Sequence, residues 1–288
     1  MSLRVLYYAL GGGLGHLVRA GRFLQQQGLA ADALILSASA HAGVSQHRSG
    51  VMVREVPLAL QDDVPALRAW LARCIDEFAP QRVCVDCFPA GLLGELADLP
   101  ALQGVERWLV ARLLNRSACS QLLGPVPRFA VAWRMEPLHP EHEAWLQAHA
   151  EEVRDGRLLP PPAPAPAPPR GAPFWLVAHS GPAAEVQELI DYARALRGCE
   201  GSERAIGVAS LDPPAQLTDD CFLLDPLALP AHYAAAERIV CAAGFNTLLE
   251  TEVWWEKRQV LPFPRRYDDQ FARAARALQA NRPLASPM

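Results

Sequence analysis

Residues 239–274 read IVCAAGFNTLLETEVWWEKRQVLPFPRRYDDQFARA, and this stretch decides the fold. Ile239–Cys241 is a short apolar run of β character, followed by a small glycine-containing turn over Ala242–Thr247. Leu248–Trp255 has helical character, with Glu250 one turn in. Val260–Phe263 is a second β run closed by Pro264, and Asp268–Leu278 predicts a second helix, opened by two acids and Gln270. In open α/β sheets ligands sit outside the carboxyl ends of strands. A helix that opens with Gly244, Phe245, Asn246 and Thr247 offers backbone N–H groups and a positive dipole end, which suits a phosphate. Glu250 can accept two hydrogen bonds from a ribose diol, and Asp268, Asp269 and Gln270 can take sugar hydroxyls in the same way. Each residue alone also fits an ordinary helix capped by Asn246 or Thr247. The spacing of the set is harder to explain that way.

A proline tract, LPPPAPAPAPPRGAP over Leu159–Pro173, is the clearest boundary in the 288-residue chain. Proline denies it helix and sheet interior, so it predicts an extended, semi-rigid spacer. The expected organisation is an N-terminal domain over 1–158, a linker over 159–173 and a C-terminal domain over 174–288. The composition, 51% hydrophobic and 20% charged, is globular. A formal charge of −4 sets up no field that would draw nucleic acid. No apolar run is long enough to span a bilayer, which leaves only peripheral membrane contact open. Val5–Leu10 is short and runs straight into glycines, unlike a signal peptide, so the expected location is cytoplasmic. Seven scattered cysteines argue against a disulfide framework. Cys84 and Cys87 lie in a β-like run, where residues three apart are about 10 Å distant and do not bridge.

The N-terminus repeats the strand, loop, helix plan. Leu3–Ala9 is a strand by composition, and Gly11-Gly12-Gly13-Leu14-Gly15-His16-Leu17-Val18-Arg19 leads into helical spacing. No G-K-[ST] follows, so this is not a Walker loop, and His16 stands where a dinucleotide fingerprint needs its last glycine. His16 falls at the first helical turn, either facing the crevice or packing the helix start. Asp86 closes a strand over Gln81–Asp86, as a site acid or as a turn acid leading into a Leu92–Leu96 helix. His139 and His142 form a His-x-x-His that Pro140 interrupts, with no third ligand at metal spacing. That segment, Pro137–Glu152, reads as a solvated acidic helix, and no metal site is expected. Phe174–Ala178 restarts a strand, and Ser180-Gly181 ahead of an Ala183–Leu196 helix is a second phosphate-friendly corner.

The pattern C-x-x-G-x-x-T-x-x-E at Cys241–Glu250, the Pro262-Phe263 pair and D-D-Q-F-x-x-A from Asp268 resemble the donor-site signature of GT-B glycosyltransferases. The branch resembled contains the peptidoglycan N-acetylglucosaminyltransferase and the glycosyltransferase family 28 C-terminal domain. The resemblance implies two Rossmann-like α/β domains facing each other across a cleft. It implies Gly244, Phe245, Asn246 and Thr247 for the donor phosphates, with Ser180 and Gly181 bordering them. It also implies Glu250 for the ribose, Asp269 with Gln270 for the donor sugar, and the Leu227 backbone for the uracil. The form G-x-G-H-x-x-R at Gly13, Gly15, His16 and Arg19 resembles the N-terminal loop of the same families and of UDP-sugar hydrolases of pseudaminic acid synthesis. There it lies on the acceptor side, which implies His16 as base or polar partner. D-x-F-P-x-G at Asp86–Gly91 is similar to a segment of predicted glycosyltransferases of this group.

The expected function is transfer of a sugar from a nucleotide-sugar donor, UDP-linked, to an acceptor that is a small molecule, a protein or a lipid-linked glycan. No cofactor is expected, because helix N-termini and amides can stabilise the departing diphosphate. Two other readings stay open. One is a nucleotide-sugar hydrolase or epimerase on the same fold. The other is a binding protein without turnover, for which Trp254 and Trp255 are a candidate contact surface.

Overall fold

The computed structural model describes residues 3–280 apart from 12, 125 and 160–172, so most of the expected linker lies outside the described residues. The chain divides into two compact units: unit 1 is 1–158 with 266–268, and unit 2 is 159–265 with 269–288.

Unit 1 runs β1 (Val5–Ala9), α1 (Leu14–Gln26), β2 (Ala33–Ser37), α2 (Ala42–Ser49), β3 (Met52–Glu55), α3 (Val64–Phe78), β4 (Arg82–Asp86), β5 (Glu106–Ala111), α4 (Arg116–Leu122), β6 (Phe129–Arg134), α5 (Pro140–His149) and β7 (Ala150–Asp155). Its seven strands are parallel in the order β3-β2-β1-β4-β5-β6-β7. β1, β2 and the middle of β4 (Val83–Val85) are buried on both faces, as strands under helices must be. Phe23 of α1 anchors one face, its ring 6.0 Å from Tyr7 and 5.7 Å from Trp133.

Unit 2 runs β8 (Trp175–Ala178), α6 (Ala183–Glu200), β9 (Ile206–Ala209), β10 (Cys221–Leu223), α7 (Leu229–Ala235), β11 (Arg238–Cys241), α8 (Phe245–Glu250), β12 (Arg258–Val260) and α9 (Gln270–Ala280). These five strands are also parallel, in the order β10-β9-β8-β11-β12. Strand alternation sends Trp175 and Val177 to the face packed by Val186, Leu189 and Ile190 of α6, while Leu176 and Ala178 join Tyr233 of α7 on the other. Both sheets are therefore doubly wound α/β layers. No helix among the described residues is long and apolar enough to cross a membrane.

Several boundaries depart from the sequence reading. The expected Leu92–Leu96 helix is a series of turns, because Gly91 and Gly94 both take positive φ. The acidic helix stops at His149, and Ala150–Asp155 is an edge strand with charged residues that keep the open edge solvated. The helix expected over Leu248–Trp255 is α8 alone, followed by a 3-10 turn over Glu252–Lys257 with Trp254 in a non-helical conformation. The second β run of the opening stretch lies earlier than expected, at Arg258–Val260.

Residues 266–268 complete unit 1 rather than unit 2. Asn115 N donates to Tyr267 O at 2.8 Å and Asn115 Nδ2 to Arg266 O at 2.7 Å. Leu114 bridges Asp268 in antiparallel fashion, and the Tyr267 ring stands 5.3 Å from that of Phe88.

Candidate active site

In a doubly wound sheet the crevice lies where the strand order reverses, outside the carboxyl ends of the strands. In unit 1 that point lies between β1 and β4. α1 follows β1 and carries His16 and Arg19, three apart and so on one face of the helix. Asp86 is the last residue of β4. The three side chains meet. His16 Nδ1 lies 2.5 Å from Asp86 Oδ2, Arg19 Nη2 donates to the same oxygen at 2.5 Å, and Arg19 Nε donates to Oδ1 at 2.8 Å. The Tyr7 hydroxyl of β1 also donates to Oδ1, at 3.0 Å. Asp86 therefore has both oxygens doubly engaged, which saturates a carboxylate.

These bonds fix the protonation states. Burial alone would raise the Asp86 carboxyl, but Arg19 and then His16 outweigh it and hold it well below the usual carboxylate range. Burial pushes the His16 ring below its ordinary value; Asp86 opposes the shift and Arg19 adds to it. At neutral pH Asp86 is charged and His16 is neutral. A carboxylate only accepts, so the His16 proton sits on Nδ1, which leaves the lone pair on Nε2. Nε2 makes no hydrogen bond among the described residues. The ring edge lies over Gly11, where an added Cβ would overlap it. This explains a glycine whose φ is ordinary.

The arrangement is that of a general base with an orienting acid. His16, Asp86 and Cys87 also offer three metal-ligand atoms within 4.8 Å of one another. Guanidiniums already fill the space: Arg19 Nη2 lies 3.3 Å from Cys87 Sγ and Arg112 Nε 3.4 Å from it. The donor set does not fit a cation. Gly13 is the N-cap of α1 and Gly15 lies in its first turn, directly before His16.

Sequence reasoning missed Tyr7, Cys87 and the reason for Gly11, and read Arg112, a possible acceptor contact, as solvated, whereas it is buried. Tyr7 had a signal: a tyrosine within a fully apolar strand needs a partner for its hydroxyl. Cys87 had none, since its φ of +64° is a property of the turn.

Unit 2 reverses its strand order between β8 and β11. A cavity there is lined by His179, Ser180, Ala209, Leu229, Tyr233 and Thr247, among others. Ser180 follows β8 and is exposed, and Thr247 lies in the first turn of α8. Gly244 is the N-cap of α8, and no side chain caps that end. Glu250, at the last turn of α8, lies beside Tyr233, whose hydroxyl is 3.4 Å from Glu250 Oε2. The structure thus brings Ser180 and Thr247 to one cavity, while Glu250 lies outside its lining and is linked to it by Tyr233.

Other expected residues are engaged differently. A Cβ at Gly181 would overlap His179, whose Nε2 is 2.7 Å from Glu185 Oε2. Arg265 grips both oxygens of that same Glu185. Leu227 N, expected to read a base, already donates to Asp225 Oδ1 at 2.9 Å. Asp269 accepts from Ala272 N at 2.9 Å, at the start of α9. Gln270 is buried, and its Oε1 accepts from Phe263 N at 3.0 Å. Both side chains thus support the backbone around α9. Trp255 is exposed, while Trp254 packs on Tyr233 at 5.8 Å.

No family model matches the chain, and no curated protein matches it. Solved structures do. The spinosyn forosaminyltransferase SpnP has a TM-score of 0.61 at 15% identity, over 97% of this chain and 84% of that one. MurG from Acinetobacter baumannii has 0.53 at 16%, over 96% and 84%. A protein assigned as a UDP-N-acetylglucosamine 2-epimerase from Listeria monocytogenes has 0.62 at 8%, over 97% and 82%. The chain, with its two doubly wound parallel sheets, shares the fold of these structures, the GT-B fold.

Proposed function

We propose that the protein is a glycosyltransferase that moves a sugar from a UDP-linked donor to a hydroxyl acceptor. The observation that carries this reading is the His16–Asp86 pair, with the lone pair of Nε2 left over at the switch point of unit 1. On this reading the acceptor O–H gives its proton to His16 Nε2. Its oxygen then bonds to the anomeric carbon as the bond to the β-phosphate oxygen breaks, and UDP leaves with the electron pair. Asp86 keeps the reactive tautomer and stabilises the imidazolium that forms, while Arg19 keeps Asp86 ionised. Unit 2 supplies the nucleotide subsite: Ser180 and the Gly244–Thr247 corner for the diphosphate, and Glu250 for the ribose. Amide and hydroxyl donors there offset the charge that develops on the leaving group.

A UDP-N-acetylglucosamine 2-epimerase assignment among the structural neighbours keeps one other reaction in view, in which the same residues act on the donor alone. The test is incubation of the purified protein with a panel of UDP-sugars, with and without candidate hydroxyl acceptors. UDP release that requires an acceptor supports transfer. Release without acceptor, with free or epimerised sugar, replaces it. Absence of binding to any UDP-sugar by calorimetry removes both.

A further inference from the structure

The connection from β4 to β5 lacks the helix that a parallel crossover usually carries. Between Cys87 and Val105 the chain holds turns and one short 3-10 turn, Pro100–Leu102. Its buried backbone groups must be satisfied by other means. Glu95, 0% exposed, collects donors: the Tyr8 hydroxyl at 2.6 Å, Leu93 N at 2.7 Å and Leu92 N at 3.1 Å. Arg68 of α3 collects acceptors: Ala97 O at 2.5 Å, Glu95 O at 3.1 Å and Asp98 O at 3.3 Å. Gly91 stands at φ +84°, and a Cβ there would overlap the Glu95 carboxylate, so the two residues fit as a pair.

The pinned loop also starts beside the site. It leaves β4 at Cys87, Phe88 N donates to Asp86 O at 2.7 Å, and Gly91 N donates to Phe88 O at 2.8 Å. The buried Phe88 ring lies 6.4 Å from that of His16. Tyr8, which holds Glu95, neighbours Tyr7, which holds Asp86. The mechanism described above uses neither Glu95 nor Tyr8.

We propose that Glu95 is a positioning residue: by tying Leu92 and Leu93 to Tyr8 it keeps Phe88 beside His16, and so keeps water from Asp86 and from all but the 19% of the His16 side chain that is exposed. Its catalytic meaning rests on the reading of His16 as the reacting base. A loosened loop admits more water to His16, and hydration weakens the main cause of its depressed basicity.

The experiment follows the histidine ring signals of the full chain by NMR across a pH titration, with His16 assigned by its loss in His16→Asn. Glu95→Gln sets an amide NH₂ against one of the two backbone donors, Leu92 N on Oε1 or Leu93 N on Oε2. Tyr8→Phe deletes one hydroxyl and serves where Glu95→Gln does not fold. The expected result is a His16 midpoint that rises toward the ordinary value of about 6.5, with the buried His142 signal unmoved and melting still cooperative. A His16 midpoint in Tyr8→Phe that superimposes on wild type overturns the proposal. This readout needs no substrate. A wild-type protein without transferase activity would sink the functional reading and leave the loop result standing.

Discussion

Arg19 meets Asp86 edge to edge, Nε on one carboxylate oxygen and Nη2 on the other, with both side chains essentially excluded from solvent. A buried pair of this kind is costly to break from one side, because the survivor is left charged in a low dielectric. Arg19→Met should therefore destabilise the protein by about 3–5 kcal/mol in urea denaturation. Arg19→Lys keeps the charge but loses the fork, and should cost less. Asp86 titrates lower in the folded than in the unfolded chain. Its contribution is thus fully present above about pH 4 and is lost as the pH falls below that. In Asp86→Asn this share of the acid sensitivity should disappear.

His16→Ala should lower turnover by about 10²–10⁴-fold and leave UDP affinity by calorimetry unchanged. Because the ring titrates below its ordinary value, the wild-type rate should already be on its plateau at pH 7 and decline only as the pH drops below about 6.5. A decline that begins above neutrality would contradict the assignment. EDTA should leave the rate unaltered, since guanidiniums occupy the space a cation would need.

Gly11→Ala places a methyl group where the His16 ring lies, in a backbone conformation that alanine accepts. Turnover should fall by about 10²-fold, the usual cost of displacing a reacting group by 1 Å. Thermal melting should move little. Equal losses in both would mean that the glycine serves packing alone.

Glu250→Ala should weaken UDP binding about 10–150-fold, the equivalent of losing hydrogen bonds to a charged acceptor worth about 1.5–3 kcal/mol. Titration calorimetry with UDP and with uridine separates ribose from phosphate recognition. The same factor should appear for both ligands.

His142 of α5 is fully buried, and neither ring nitrogen has a hydrogen-bond partner among the described residues. Burial pushes it down to about 4. The unfolded chain, with an ordinary histidine near 6.5, binds the proton first, so stability is complete above that pH and falls on acidification toward pH 4, by roughly 3 kcal/mol. His142→Phe should flatten the slope of stability against pH over this window.

Local rules carried the sequence reading as far as His16, Arg19 and Asp86 taken one by one. A helix starting after glycines puts His16 and Arg19 on one face, and a strand end puts Asp86 at the crevice. Tertiary satisfaction decided the rest. Leu92–Leu96 has helical composition, yet Gly91 and Gly94 at positive φ and the pull of Glu95 on Leu92 and Leu93 turn it into loop. Ala150–Asp155 is too polar to read as a strand, because an edge position asks for little burial. Gln270 carries a donor-site signature in the sequence, and only coordinates reveal that its amide oxygen serves Phe263.

The three residues Arg266–Asp268 give the gene a property that a linear map hides. A fragment ending at Leu158 would lack the Tyr267 ring beside Phe88 and the bridge partner of Leu114. Cutting the protein at its proline tract therefore yields an amino-terminal half missing a side chain that packs against its own core. Mixing separately produced halves should rescue it only when the second piece brings that tripeptide along.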